Sequence, residues 1–268
     1  MNILFVADIF GSPGRRVVRD LLPELVSSMG IEFLVANVEN AAAGFGITKD
    51  IVEELKSLGI ECMTSGNHIW DRREALPLLD QEPLLLRPHN YPQGVPGSGS
   101  KVFRTRAGVP VGVLNLMGRV FMNSLECPFR VADREIAALR EQANVVLVDF
   151  HAEATAEKIA LCWHLDGRVS AVIGTHTHVQ TADERIFPGG TGYITDAGMT
   201  GPHDSVIGVQ KELAIRKFLT QLPVRFEPAS GDLRLHGVHL EVDEETGRCR
   251  HIERVAMALV PAPSAGAS

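Results

Sequence analysis

The sequence is short of cysteine, of positive charge and of long apolar runs. Four cysteines occur in 268 residues, Cys62, Cys127, Cys162 and Cys249, and no two of them are close. No disulfide framework or CxxC element is evident, and a reducing cytoplasm is the expected setting. Lys and Arg number 26 against 33 Asp and Glu. That deficit argues against a broad footprint for duplex nucleic acid, though not against a small nucleotide. No apolar run approaches the roughly 20 residues needed to span a bilayer. The start of the chain has neither a basic region nor a long apolar segment of the kind a leader carries. What is plentiful is hydrophobic residue, 45% of the chain, enough for a sizeable core.

Apolar periodicity lays out alternating strands and helices. Ile3 to Ala7 reads as a strand, Pro13 to Met29 as a helix stopped by Gly30, and Phe33 to Val38 as a second strand. Thr48 caps a helix ended by Gly59, and Ile60 to Thr64 is a third strand. This rhythm predicts parallel pairing with right-handed crossovers. The Pro-, Gly- and Ser-rich stretch 83–108 reads as a long loop. Val109 to Met117, Val145 to Phe150, Ser170 to Ile173 and Gly192 to Thr195 are further strands. Glu153 to Leu165 and Lys211 to Leu219 are helical. Leu233 to Val242 and Cys249 to Leu259 form a hairpin around an acidic, Gly-containing turn. Residues 1–260 are expected to make one domain and 261–268 a disordered tail.

Five polar clusters follow apolar strands. They are Asp8, Glu39-Asn40, Gly66-Asn67-His68, His151 and Gly174-Thr175-His176-Thr177-His178. Carboxylate, carboxamide and imidazole suit divalent metals such as manganese, iron and zinc. Strand C-terminal ends are where open α/β proteins place their sites. Asp8 alone would read as a turn residue before a Gly-Pro loop, and Glu39-Asn40 reads equally as a turn. His151, ending an almost wholly apolar strand, needs a metal or a hydrogen bond. His-x-His in an extended segment puts both rings on one side. The competing reading is two unrelated surface histidines. Asp149 and Glu153 flank His151 as candidate ring-orienting partners, with Glu153 alternatively opening the next helix. The loop carrying His203 lines the substrate side or is only a turn.

These clusters, in this order, resemble the calcineurin-like metallophosphoesterases. Three departures stand out: Phe10 replaces a histidine, Glu39-Asn40 replaces a bridging aspartate segment, and Thr175 is an extra residue before His-x-His. The departures resemble a narrower group, the YmdB-like bacterial phosphodiesterases, through Asp8-Ile9-Phe10-Gly11, Val38-Glu39-Asn40, Ser65-Gly66-Asn67-His68, Asp149-Phe150-His151-Ala152-Glu153 and Thr195-Asp196-Ala197-Gly198-Met199. The resemblance implies a four-layer α/β/β/α sandwich of two mixed sheets flanked by helices. It implies two metal ions, iron or manganese ahead of zinc, bridged by Glu39. Asp8 and His178 would complete one site, with Asn40 an open candidate for the place left by Phe10. Asn67, His151 and His176 would complete the other, and His68 would be the catalytic imidazole that is not a ligand. The expected reaction is hydrolysis of a small phosphodiester, such as a 2',3'- or 3',5'-cyclic nucleotide, by a hydroxide between the ions. A metal-loaded regulator binding a cyclic nucleotide or an RNA-decay partner, with slow hydrolysis, is the alternative, and the 83–108 loop would carry it. An amidohydrolase is disfavoured because its His-x-His pair comes early. A homo-oligomer is compatible with all of this.

Overall fold

The computed structural model describes residues 1–260; the expected disordered tail, 261–268, lies outside the described residues. The first elements are β1 (Asn2–Val6), β2 (Asp8–Ile9), α1 (Gly11–Ser28), β3 (Phe33–Asn37), α2 (Lys49–Ser57) and β4 (Cys62–Thr64). A 3-10 turn (Asn67–Trp70) leads to α3 (Ala75–Gln81), β5 (Ser100–Arg104), β6 (Pro110–Met117), α4 (Pro128–Arg140), β7 (Val145–His151) and α5 (Thr155–Leu165). Then come β8 (Ala171–Thr175), β9 (Arg185–Ile186), β10 (Gly192–Ile194), β11 (Met199–Pro202), α6 (Lys211–Thr220), β12 (Leu233–Val242) and β13 (Cys249–Ala258).

One sheet runs β2-β11-β12-β1-β3-β4, with β13 paired to β12; the other runs β5-β6-β7-β8-β10-β9. The strand–helix units give the expected parallel pairs, β1 with β3, β3 with β4, β6 with β7 and β7 with β8. The C-terminal hairpin forms as expected and inserts antiparallel beside β1, which makes the first sheet mixed.

Side-chain alternation sorts each strand into two faces. Ile3, Phe5, Phe33 and Val35 of the first sheet share a cluster with Val111, Val113, Val145 and Leu147 of the second. The intervening residues Leu4, Val6, Leu34 and Ala36 pack outward with Val17, Leu22, Val52 and Leu55 of α1 and α2. On the far side Leu114, Leu116, Val146 and Val148 pack with Val131 and Ile136 of α4 and Leu161 and Leu165 of α5. The result is a four-layer α/β/β/α sandwich, as the sequence predicts. No described helix is long and apolar enough to cross a membrane.

Several elements depart from the sequence reading, among them α3 and β9, which it did not assign. The 83–108 stretch is not all loop: Ser100–Arg104 pairs with β6 as an edge strand, short and half exposed. The rest of it is gathered by Arg87, whose guanidinium donates to the carbonyl oxygens of Pro88, Val95, Pro96 and Gly97. Helix α4 begins with Pro128 at its first turn and buries Val131, Ala132, Ile136 and Leu139. Met199–Pro202, expected as loop, is the buried strand β11, joining β2 to β12.

Candidate metal centre

The polar clusters meet at the strand ends of both sheets. Asp8 lies in β2, Glu39 and Asn40 follow β3, and Asn67 and His68 follow β4, all from the first sheet. His151 ends β7, and His176 and His178 follow β8, both from the second.

Glu39, Asn67, His151 and His176 form one group. His151 Nε2 lies 3.0 Å from Glu39 Oε1, 3.1 Å from Asn67 Oδ1 and 3.0 Å from His176 Nδ1. One ring nitrogen can hold one proton, so it can serve one of these three neighbours at a time. Such convergence of lone pairs suits a cation. One ligand atom each from Glu39, His151 and His176 falls within a 4.8 Å span. Gly66 makes room: a methyl group there would overlap the His151 ring and the Glu39 carboxylate. The backbone N–H of His68 donates to Glu39 Oε2 over 2.9 Å and fixes the carboxylate.

Asp8 and His178 form a second group, and Asn40 lines the same cavity as His178. His178 Nδ1 donates to the Ile207 carbonyl oxygen at 3.0 Å, and its Nε2 lies 3.3 Å from Asp8 Oδ2. Asn40 Nδ2 donates to the Gly44 carbonyl at 2.9 Å. Asp8 Oδ1 and Asn40 Oδ1 are both buried and without a hydrogen-bond partner. Buried acceptors left unmatched are costly, and hard oxygen donors beside imidazole fit an intermediate divalent ion. Phe10, in the place of the missing histidine, stands edge-on to His178 with ring centroids 5.7 Å apart. Its ring is seated so closely that a Cβ on Gly44 or Gly208 would come within 2.8 and 2.7 Å of it.

The His-x-His pair reaches both groups by a route the sequence did not suggest. His176 and His178 are not extended; their φ angles are 101° and 64°, in the left-handed region. Strained backbone of this kind persists only where the surroundings over-determine it. Here the buried pair Lys158–Asp196, 2.9 Å apart, does so. Lys158 Nζ donates to the Thr175 carbonyl at 2.8 Å, and Asp196 Oδ2 accepts from the Thr177 N–H at 3.0 Å. The two bonds clamp the backbone on either side of His176. A lysine at a buried position on α5, with Leu161, Cys162 and Leu165 buried beside it, was the signal available for this clamp.

A relay fixes the His151 ring. Its Nδ1 lies 3.0 Å from Thr175 Oγ1, which donates to Asp149 Oδ1 at 2.7 Å. Asn37 donates to the other Asp149 oxygen at 3.1 Å and ties the relay to the first sheet. Glu153 precedes α5 and also reaches the site, with Oε2 3.1 Å from His176 Nε2. His68 stands apart from the donors: its Nδ1 pairs with Asp71 Oδ2 at 2.8 Å, and its ring meets Phe45 edge-on at 5.0 Å. His203 is outside the cluster, bonded to the Met199 carbonyl and packed at a tilt against His236.

The charges are coupled. Burial raises the carboxyls of Asp8 and Glu39, but the surrounding imidazoles outweigh it and hold both below their usual range. Burial disfavours a charged His151, yet Glu39, Asp8 and Asp149 push it up to about 9. Burial and the positive His151 push His176 down to about 3. Without a cation, a proton on His151 answers the buried carboxylates; a metal ion would take over that role.

The profile of the YmdB-like protein family matches residues 4–255. The chain is 47% identical to the "2',3'-cyclic-nucleotide 2'-phosphodiesterase" of Bacillus subtilis over 255 residues, 95% of this chain and 96% of that one. Its structure is similar to that of a hypothetical protein from Thermus thermophilus, at TM-score 0.90 and 41% identity, covering 96% of this chain and 99% of that one. It is equally similar in shape to a protein titled a novel phosphatase from Mycoplasma pneumoniae, at TM-score 0.90 and 35% identity, covering 96% and 93%. The chain therefore belongs to the YmdB-like family, the group its strand-end motifs resemble.

Proposed function

Taking the chain as a YmdB-like protein, we propose that it is a metal-dependent phosphodiesterase whose substrates are small phosphodiesters of the 2',3'-cyclic nucleotide class. The observation that carries this reading is the convergence of Glu39, Asn67 and His176 on one nitrogen of His151, beside two buried oxygens, on Asp8 and Asn40, that lack partners. The cyclic-nucleotide phosphodiesterase named among its relatives supports the substrate class. Asp8, Glu39, Asn40 and His178 would hold one ion, and Glu39, Asn67, His151 and His176 a second, with iron or manganese as the proposed metals. When bound, such ions supply Lewis-acid stabilisation of phosphoryl charge and a strongly acidified water.

The chain's own residues do the rest. The backbone N–H groups of His68 and His176 donate to Glu39 and Asp8 and orient the two carboxylates, so the donor set is pre-organised. His68 lines the same cavity as Glu39, His176 and His178, and Asp71 steadies its ring through Nδ1. The role proposed for it is to hydrogen-bond a phosphoryl oxygen or to deliver a proton to the departing alkoxide.

The test is turnover of bis(p-nitrophenyl) phosphate and of adenosine 2',3'-cyclic monophosphate by purified protein, with manganese and with chelator. The expected result is manganese-dependent hydrolysis abolished by chelation; no turnover in either condition overturns the reading. His68→Ala should keep its metal and lose roughly 10²–10⁴-fold in kcat. A fully active His68→Ala enzyme would remove His68 from the chemistry.

A further inference from the structure

The donor cluster forms only part of the lining of a cavity of about 390 Å³. That size lies within the roughly 300–1,000 Å³ of small-ligand sites. The polar part holds Glu39, Asn40, His68, His176 and His178. The rest of the lining is largely apolar and includes Phe45, Val206, Ile207, Phe218 and Phe226. These residues come from four separate segments: the loop after β3, the loop before α6, α6 itself and the segment after it.

We propose that this apolar lining seats the nucleobase of the substrate, by stacking and contact and without hydrogen bonds to the base edges. The proposal rests on the phosphodiesterase reading above, since it takes the polar part as the seat of the phosphate. Three observations carry it. The first is continuity: the Phe45 ring meets His68 at 5.0 Å, so an aromatic plate adjoins the polar part. A base joined through ribose to a phosphate at the donors would be brought against it.

The second is Ile207. A β-branched residue at a φ of 47° is a genuine outlier, and such outliers gather at ligand sites. Its carbonyl anchors His178 while its side chain stays half exposed on the cavity wall. The loop is braced, not loose. Ser205 Oγ accepts from the Gly208 N–H at 2.9 Å, and Val206 and Val209 exchange backbone bonds of 2.9 and 3.1 Å. One strained residue thus fixes an imidazole of the donor set and an apolar wall together.

The third is Phe218, which is 74% exposed on α6 yet lines the cavity. An aromatic face there is open to a planar partner. Every base has a π-face, so aromatic plates bind bases with little regard to sequence. Those five apolar side chains of the lining offer no donor or acceptor to a base edge. Purine and pyrimidine nucleotides should therefore bind alike, and a base-free ribose phosphate should bind much more weakly.

The experiment is calorimetric titration of the manganese-equilibrated protein with adenosine 3'-monophosphate, uridine 3'-monophosphate and ribose 3-phosphate. Both nucleotides are expected to bind roughly tenfold or more tightly than the sugar phosphate. Phe218→Ala should narrow that ratio, and Phe218→Tyr, which keeps the aromatic face, should restore it. Phe218 is exposed, so neither change should endanger folding. Equal Kd values for nucleotides and sugar phosphate, or a ratio untouched by Phe218→Ala, would overturn the subsite. So would an unchanged ratio accompanied by altered sedimentation of Phe218→Ala, which would assign the patch to contact between chains. Turnover of bis(p-nitrophenyl) phosphate judges the phosphodiesterase reading separately.

Discussion

The two groups of donors each take one imidazole from the same short loop but are anchored by different means. In the group around His151, the ring is held by side chains: Nδ1 to Thr175, Thr175 to Asp149, Asp149 to Asn37. In the group around Asp8, the His178 ring is held by backbone, the carbonyl of Ile207. A side-chain relay can be cut by substitution, whereas a backbone anchor yields only to a change in the loop itself. His176 and His178 hand one imidazole to each group because both residues adopt left-handed conformations. The Lys158–Asp196 clamp, which grips Thr175 and Thr177, serves both groups at once.

The comparison can be broken or sharpened by substitution. Glu39→Ala should have the largest effect, because Glu39 faces His151 and lies close enough to Asp8 for their charges to repel. Metal content and turnover should both fall, well beyond the roughly 10–100-fold that an orienting partner costs. Elemental analysis and the bis(p-nitrophenyl) phosphate assay would check it. Lys158→Met comes next. It leaves Asp196 buried without its countercharge, a change that typically costs about 3–5 kcal/mol. The melting temperature should drop, and both donor groups should loosen together; loss confined to one group would show that the clamp is not shared.

Thr175→Val should cut the relay to His151 and spare the Ile207 anchor. Metal affinity should fall by roughly 10–100-fold at one site and stay near its starting value at the other, seen as a split manganese titration. The smallest effect belongs to His236, whose ring is tilted against His203 at 4.4 Å. Burial, with His203 and Arg234 nearby, pushes its imidazole down to about 4 from the usual 6.5. Its folded pKa is depressed, so the unfolded chain takes the proton first. The stability it protects is present above about 6.5 and is lost progressively as pH falls toward 4. His236→Phe should flatten that part of a melting-temperature profile against pH.

Much of the fold was legible because most strands are short apolar runs bounded by polar strand ends and glycines, and the early helices carry clear apolar stripes, with Thr48 capping α2. Helix α4 carries signals just as clear, with Pro128 at its start and Val131, Ala132, Ile136 and Leu139 in periodic array, although the sequence reading assigns no helix there. Strand β5 was hidden by the Pro- and Gly-rich sequence just before it and by its half-exposed place at a sheet edge. At the site, the residue types and their strand-end positions could be read; the structure gathers Glu39, Asn67 and His176 around one nitrogen of His151 and sets His178 beside Asp8. The pairing of His176 with His151 and of His178 with Asp8 could not be read, because it depends on left-handed φ angles that two non-glycine residues do not announce. Thr175, noted in the sequence only as an extra residue, acquires a use once its hydroxyl is seen between His151 and Asp149. The apolar lining of the cavity was invisible for a simpler reason. Phe45, Ile207, Phe218 and Phe226 become neighbours only when the two sheets and α6 are in place.

The central claim is a two-ion centre made by Asp8, Glu39, Asn40, Asn67, His151, His176 and His178. It is tested most directly by counting metal: elemental analysis of protein equilibrated with manganese and freed of excess ion. The account predicts two manganese ions per chain. A count of one or none, in protein shown to be folded, would contradict it.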